Sequence, residues 1–369
     1  MKVVKVRSPF IIEVNEAGSI GSKIELFIYN SGSAFPATPT YTLSKPNPSA
    51  TQLSTSYNVS NFVKEYIDNI KPNNVNNATA GSEAVKEWAL FTVKRYKLVG
   101  STYTLLDTTI YYGVNGFTNY SDGNQNPSST KILLLANPNI NNYYYKDSYA
   151  DLKMEYLNFL YDKLSTDVLT IKYERIDGVA YNFTQTILPG AAGSDNLKVP
   201  VTTVIFDGNF VNGCKVTITL TPVSGSPTVN IFYTYPIEEC KYTPVRCSFI
   251  NRYGGWKDII FFKAQTNSIS VKGSEYNLLP SAINYNVNKG QSKVFNINGT
   301  QTVKLNTGWV DENYNELITD LLLSETVLLD NKPVKVKTQS HTFKTQLKDK
   351  MINFELDFEY AFNLINDVV

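Results

Sequence analysis

Histidine is almost missing from this chain: His341 is the one histidine in 369 residues. The side chain best suited to moving protons near neutral pH, and to binding metals, is therefore unavailable for most catalytic constellations. Ser340 and Thr342 flank His341, but no Asp stands in a recognisable orienting motif, so a nucleophile–base triad is not expected. Cysteine is also scarce, with three in the chain. Cys214, Cys240 and Cys247 are odd in number and lack metal-ligand spacing, which predicts packed, reduced thiols and leaves a Cys240–Cys247 bridge open. Charge is low at 18% and balanced, 34 basic against 33 acidic residues, with no concentrated basic face of the kind that neutralises phosphates. Direct nucleic-acid recognition is therefore not expected. Long apolar runs are missing too. The longest spans 132–136, far below the roughly 20 residues of a membrane helix, so membrane insertion is not expected. The opening Met1-Lys-Val-Val-Lys-Val-Arg-Ser-Pro-Phe10 interleaves charge with valine and reads as a strand rather than a signal peptide. Gly18-Ser-Ile-Gly21 has no amphipathic helix after it and no Walker lysine pattern exists, so no phosphate cradle is expected.

What the chain has instead is aromatic residues, 25 Tyr and 19 Phe, within a 42% hydrophobic composition sufficient to bury more than one core. They fall in runs of period two. Lys23-Ile-Glu-Leu-Phe-Ile-Tyr29, Trp88-Ala-Leu-Phe-Thr-Val-Lys-Arg-Tyr96 and Lys215-Val-Thr-Ile-Thr-Leu220 alternate as pleated strands do. Two segments favour helix. One runs over 60–70, capped by Ser60 with Phe62, Val63, Tyr66, Ile67 and Ile70 on one stripe and stopped by Pro72. The other runs over 312–323, capped by Asp311, with Leu317, Ile318, Leu321 and Leu322 clustered. A third, over 151–164, rests on Leu152, Leu157, Leu160 and Leu164. The polar tract 121–130 and the end of a strand at Pro236 mark seams, giving expected domains at 1–130, 131–238 and 239–369. The expected class is mainly β, with multi-domain β-sandwich-like modules and two or three short helices. Strand, Gly-containing turn and strand follow both Pro9 and Pro244, an order that an internal duplication would explain, as would chance, since hairpins are generic and the two stretches share few residues.

Three patterns invite a functional reading. Phe354-Glu-Leu-Asp-Phe-Glu-Tyr360 places Glu355, Asp357 and Glu359 on one strand face and the apolar residues on the other. Next-but-one carboxylates lie about 6.6 Å apart, near glycosidase spacing. Yet Lys335 and Lys337, with Lys344, Lys348 and Lys350 nearby, supply partners for a charged outer face that needs no catalysis. Asn251-Arg-Tyr-Gly-Gly-Trp-Lys-Asp258 joins two strands, and its glycine pair suits a tight turn. Arg252, Tyr253 and Trp256 are residue types that concentrate interface energy, so this tip is the candidate interface, with a turn staple as the competing reading. Tyr111-Tyr112 and Tyr143-Tyr-Tyr145 are weaker candidates for glycan stacking or interfaces, because adjacent rings on a strand face opposite ways.

Cys247-Ser-Phe-Ile-Asn-Arg-Tyr-Gly-Gly-Trp-Lys-Asp-Ile-Ile-Phe-Phe262, Leu321-Leu-Leu-Ser-Glu-Thr-Val327, Phe343-Lys-Thr345 and Asp349-Lys-Met-Ile-Asn-Phe-Glu-Leu-Asp-Phe-Glu-Tyr-Ala361 carry a family resemblance. In these segments the chain resembles virion structural proteins of tailed bacteriophages infecting Bacteroidetes, including the crAss-like group. The resemblance covers the last third well and the first two thirds only in style. It implies β-rich domains assembled into a tail, tail-ring or baseplate-associated part of the virion, put together in the host cytoplasm. The partners it implies are other copies in a ring and other tail or portal-proximal proteins. No catalytic residue, cofactor or metal is expected. The alternative reading is a carbohydrate-binding, receptor-recognition β-sandwich at the tail tip, with a glycan as partner.

Overall fold

The computed structural model describes residues 1–29, 34–68, 88–130, 132–134, 137, 142–145, 156–163, 167–187, 193–200, 212–237, 241–279, 283, 286–340, 342 and 351–366. The fold is mainly β. The chain divides into two compact units, 1–238 with 249–259, and 239–248 with 260–369.

The first part of the first unit contains β1 (Val3–Lys5), β2 (Ile11–Val14), β3 (Gly21–Tyr29), β4 (Tyr41–Pro46), β5 (Thr55–Asn58), helix α1 (Ser60–Lys64), β6 (Trp88–Val99) and β7 (Thr102–Val114). Five of these strands form one sheet in the order β1-β7-β6-β3-β4, and β2 pairs with β5 separately. Alternation decides what faces inward. Ile24, Leu26 and Ile28 of β3 join Phe91 and Val93 of β6 in a core that also takes Phe10, Ile12, Val14, Tyr57 and Val63, while Lys23 and Glu25 pair on the opposite face at 2.7 Å. A hydroxyl cluster also lies inside. Ser22 Oγ bonds Thr55 Oγ1 and Tyr57 Oη, and Tyr57 Oη also donates to the Ser22 carbonyl at 3.0 Å, so burial leaves these hydroxyls partnered.

The rest of this unit adds β8 (Ile132–Leu134), β9 (Asn142–Tyr145), β10 (Tyr156–Lys163), β11 (Val168–Arg175), β12 (Asn182–Ile187), β13 (Gly193–Pro200), β14 (Cys214–Thr221) and β15 (Thr228–Ile237). They form sheets ordered β13-β10-β8 and β12-β11-β14-β15-β9. Across β11 and β14, Leu169, Ile171 and Tyr173 oppose Leu220, Ile218 and Val216, all buried, and Lys172 bonds Glu174 at 2.8 Å on the outer side.

β16 (Val245–Ile250), β17 (Trp256–Phe261), β18 (Thr266–Asn277), β19 (Ser292–Asp311), helix α2 (Tyr314–Leu322), β20 (Val327–Leu329), β21 (Lys332–Val336) and β22 (Met351–Tyr360) complete the chain. Their sheet runs β17-β16-β20-β21-β22-β19-β18. Ile352, Phe354, Leu356 and Phe358 of β22 are buried as the alternation predicts, opposite Val310, Leu305 and Val303 of β19.

Several expectations are corrected. The segment 151–164 is not helical over its described part. Tyr156–Lys163 is a strand that pairs antiparallel with β13 and β8, because its Tyr, Phe and Leu residues suit a pleated ladder once partners from distant sequence are present. The first helix covers only 60–64 before loosening into turns through Ile67. Its start is held by Asn58, whose Oδ1 accepts from Ser60 N at 3.3 Å and Ser60 Oγ at 2.8 Å, so Ser60 is not the cap. Asp311 ends β19, and its carboxylate instead accepts from Asn313 N at 2.9 Å, one turn before the helix. Strand β15 passes through Pro236 to Ile237, paired parallel with β9. The strand–turn–strand orders after Pro9 and Pro244 also pair differently: β2 and β3 lie in separate sheets, whereas β16 and β17 are neighbours in one.

Candidate interaction surface

The expected tip, 251–258, is shaped by Asn251. Its Oδ1 accepts from Tyr253 N at 2.9 Å and Gly255 N at 3.1 Å, closing a turn in which only Gly254, at φ 88°, takes a left-handed conformation. The pair of positive angles expected of Gly254 and Gly255 is thus a single one. This turn does not stand clear of the molecule. Phe117 N donates to the Arg252 carbonyl at 2.9 Å, and a Cβ on Gly116 would come within 2.5 Å of that oxygen. Tyr253 packs against the buried Trp88, Val114 and Leu160, with Lys5 Nζ 4.8 Å from its ring centre. Trp256 is buried at 8% exposure, and Arg252 and Tyr253 are half-buried. Tyr253 and the Arg252 carbonyl are thus engaged within the fold, and the sequence could not show that 114–117 would come to meet this turn.

The carboxylate row is divided between lysines. Glu355 bonds Lys304 at 2.9 Å and accepts from Asn306 Nδ2 at 3.2 Å, and Glu359 bonds Lys337 at 2.9 Å. Lys337 was among the expected partners. Lys304, whose ammonium is held charged to higher pH by its hydrogen bond to Glu355, was not. Glu355 is exposed, while Asp357 and Glu359 are half-buried rather than exposed. Tyr112 stacks on Trp88 and Tyr111 on Phe91, at centroid distances of 5.5 and 5.2 Å. His341, Cys240, Lys344, Lys348 and Lys350 lie outside the described residues, as do the side chains of Tyr143, Tyr144 and Tyr145. Cys214 and Cys247 are buried, and burial pushes the Cys214 thiol up to about 12.

The surface that sequence reasoning missed is the ribbon of β18 and the first half of β19. These strands pair from Thr266↔Lys304 to Asn277↔Ser292, whereas β22 joins β19 only from Thr302 onward. Beyond that point, among the described residues, no strand other than β18 lies beside β19, though the segment 364–365 meets it: Leu364 N donates to the Gly299 carbonyl at 2.8 Å and Asn298 Nδ2 to the Ile365 carbonyl at 2.9 Å. This gives a two-stranded ribbon of roughly 30 Å at 3.3 Å per residue. Every residue of β18 is exposed, as are the first six of β19. Side chains that would normally be covered on one face are therefore largely open on both, with Leu364 beside Gly299 on the Ile269 face. Ile269 and Val271, at 63% and 64% exposure, share a face with Val294 and Ile297. Gly273 sits between the last two at a break in register, where a Cβ would press to 3.1 Å on each. On the other face Tyr276 and Phe295 meet edge to face at 5.6 Å, 45% and 44% exposed. A lone two-stranded ribbon is marginal in water, and an exposed apolar edge strand is a template for association.

The chain matches no protein-family model and no curated protein. Among the described residues, no helix is long and apolar enough to cross a membrane.

Proposed function

We propose that this chain is a non-enzymatic structural component of a tailed-phage virion, part of a tail-associated ring, hub or baseplate, and that the β18–β19 ribbon is its assembly arm. The observation that carries the reading is the ribbon, with exposed apolar side chains on both faces and with β18 at the edge of the sheet among the described residues. Such an arm is served by insertion against the next copy of the chain, since head-to-tail contacts between unlike surfaces close into rings. A net charge of +1 gives little repulsion between neighbouring copies. The phage resemblance of 246–262 and 308–362 supports the virion setting. The Lys-paired carboxylates support a built rather than a catalytic surface. In this reading the protein resides in the virion tail, assembled in the host cytoplasm without a cofactor. Mass spectrometry of density-purified particles tests it: the chain should be present at a copy number that is a multiple of a ring symmetry. Finding it only in the lysate, or at substoichiometric levels, contradicts the proposal.

A further inference from the structure

A trough of about 550 Å³ lies on the first unit. Asp107, Thr109 and Tyr111 of β7 share a face and contribute to its lining, with Arg95 of β6 directly opposite Asp107. Ile11 to Glu13 of β2 line it from another element, and Asn124 to Pro127 from the turn-rich tract.

The lining is held in place before anything binds. Arg95 Nε donates to both Asp107 oxygens at 2.9 and 3.1 Å, and Arg95 Nη1 ties this pair to the Glu13 carbonyl at 2.7 Å. Gln125 fixes the 124–127 segment by accepting from Lys5 N at 2.8 Å and donating to Lys5 O at 2.9 Å. The Tyr111 ring is wedged between Phe91 and Phe10, with centroids 5.2 and 5.1 Å away. A preorganised lining spares a ligand the entropy of ordering it.

The chemistry of the trough is mixed and electrically balanced. The charges of Lys2 and Arg95 offset those of Glu13 and Asp107, so the lining favours neither a polyanion nor a polycation. The exposed Ile11 and the uncovered part of the half-buried Tyr111, whose ring has Lys2 Nζ 5.8 Å from its centre, offer apolar surface, while the Arg95–Asp107 pair and the exposed Asn124 and Asn126 amides offer fixed donors and acceptors. Apolar C–H faces bordered by hydroxyls are the ligand pattern that answers this arrangement. An open trough, unlike a closed pocket, accommodates the interior of a chain. We infer that the trough binds a neutral oligosaccharide segment, an activity that goes beyond the structural role proposed above and does not rest on it.

The test is saturation-transfer NMR on the full chain. The probes are gluco-, manno- and xylo-hexaoses, an oligogalacturonate of equal length and an extended neutral peptide. At least one neutral hexaose should bind in the high-micromolar to millimolar range. The oligogalacturonate and the peptide should give no transfer. Asn124→Ala with Asn126→Ala removes two exposed side chains and should leave melting unchanged while weakening the sugar about five- to tenfold, as loss of two hydrogen bonds implies. Tyr111→Phe keeps the ring and should retain affinity within about twofold, since only one hydroxyl is lost. Absence of transfer to every neutral sugar overturns the inference. So does preference for the galacturonate or the peptide, or unchanged affinity in the double asparagine variant.

Discussion

Replacing Phe358 with alanine probes the most definite packing statement about the second unit. Phe358 is fully buried on β22, between Val303 of β19 and Val336 of β21 in the strand register. Its ring meets Phe261 edge to face, at 5.7 Å and 76°. Truncation removes the transfer energy of the ring and leaves a cavity that strands on both sides hold open, which gives a cost of about 3–5 kcal/mol. Loss of the aromatic pair accounts for roughly 0.5–1.5 kcal/mol of that figure. The next residue is the internal control. Glu359 points the other way, and its bond to Lys337 is made by a lysine side chain that is half in water. Glu359→Gln should therefore cost under about 1 kcal/mol. Native-state hydrogen exchange of the β22 amides reads the second unit separately from the first, which a global melt does not. In Phe358→Ala the most protected amides should exchange about a thousandfold faster, since each 1.4 kcal/mol is a factor of ten. In Glu359→Gln they should change by less than about sixfold. Equal acceleration in the two variants would refute the assignment of faces.

Three further outcomes follow from individual sites. Asp107 is held below its usual value of 3.8 by hydrogen bonds from Arg95, so its contribution is complete above about pH 5 and is lost as pH falls through the lowered folded value. Asp107→Asn should thus flatten acid unfolding slightly, by under about 1 kcal/mol because the pair is substantially exposed, and a steeper acid transition in the variant would contradict this. Cys214, with its thiol pushed up to about 12, should resist iodoacetamide at pH 8 in the native protein and react once the protein is unfolded, a contrast read by mass spectrometry of the peptide that contains it. Ile269→Asp with Val271→Asp changes residues already in water, so thermal stability of the isolated chain should move by no more than about 0.5 kcal/mol per site.

How much the sequence disclosed depended on whether the partners were local. Period-two alternation reported β3, β6, β14 and β22 well, because a pleated strand with one covered face writes its burial directly into residue order. The same rule misled at 151–164, where leucines spaced like a helix stripe accompany a strand whose neighbours come from 132–134 and 193–200. Arg252, Tyr253 and Trp256 were legible as a group at a turn, but not the packing of Tyr253 against Val114 or the bond from Phe117 N to the Arg252 carbonyl. The ribbon was hidden for the opposite reason. Thr266-Asn-Ser-Ile-Ser-Val alternates like any half-buried strand, and residue order alone does not reveal that Ile269 and Val271 stay exposed. Gly273, set where Val294 and Ile297 converge, was the one local sign of an irregular pairing.

The central claim is that the ribbon joins this chain to its neighbours in a particle. The most direct measurement compares incorporation of wild-type chain with that of the Ile269→Asp, Val271→Asp variant into purified particles, by quantitative mass spectrometry, after hydrogen exchange has shown both to be folded. The account predicts that the variant is folded and missing from particles. Incorporation at the wild-type level would contradict it.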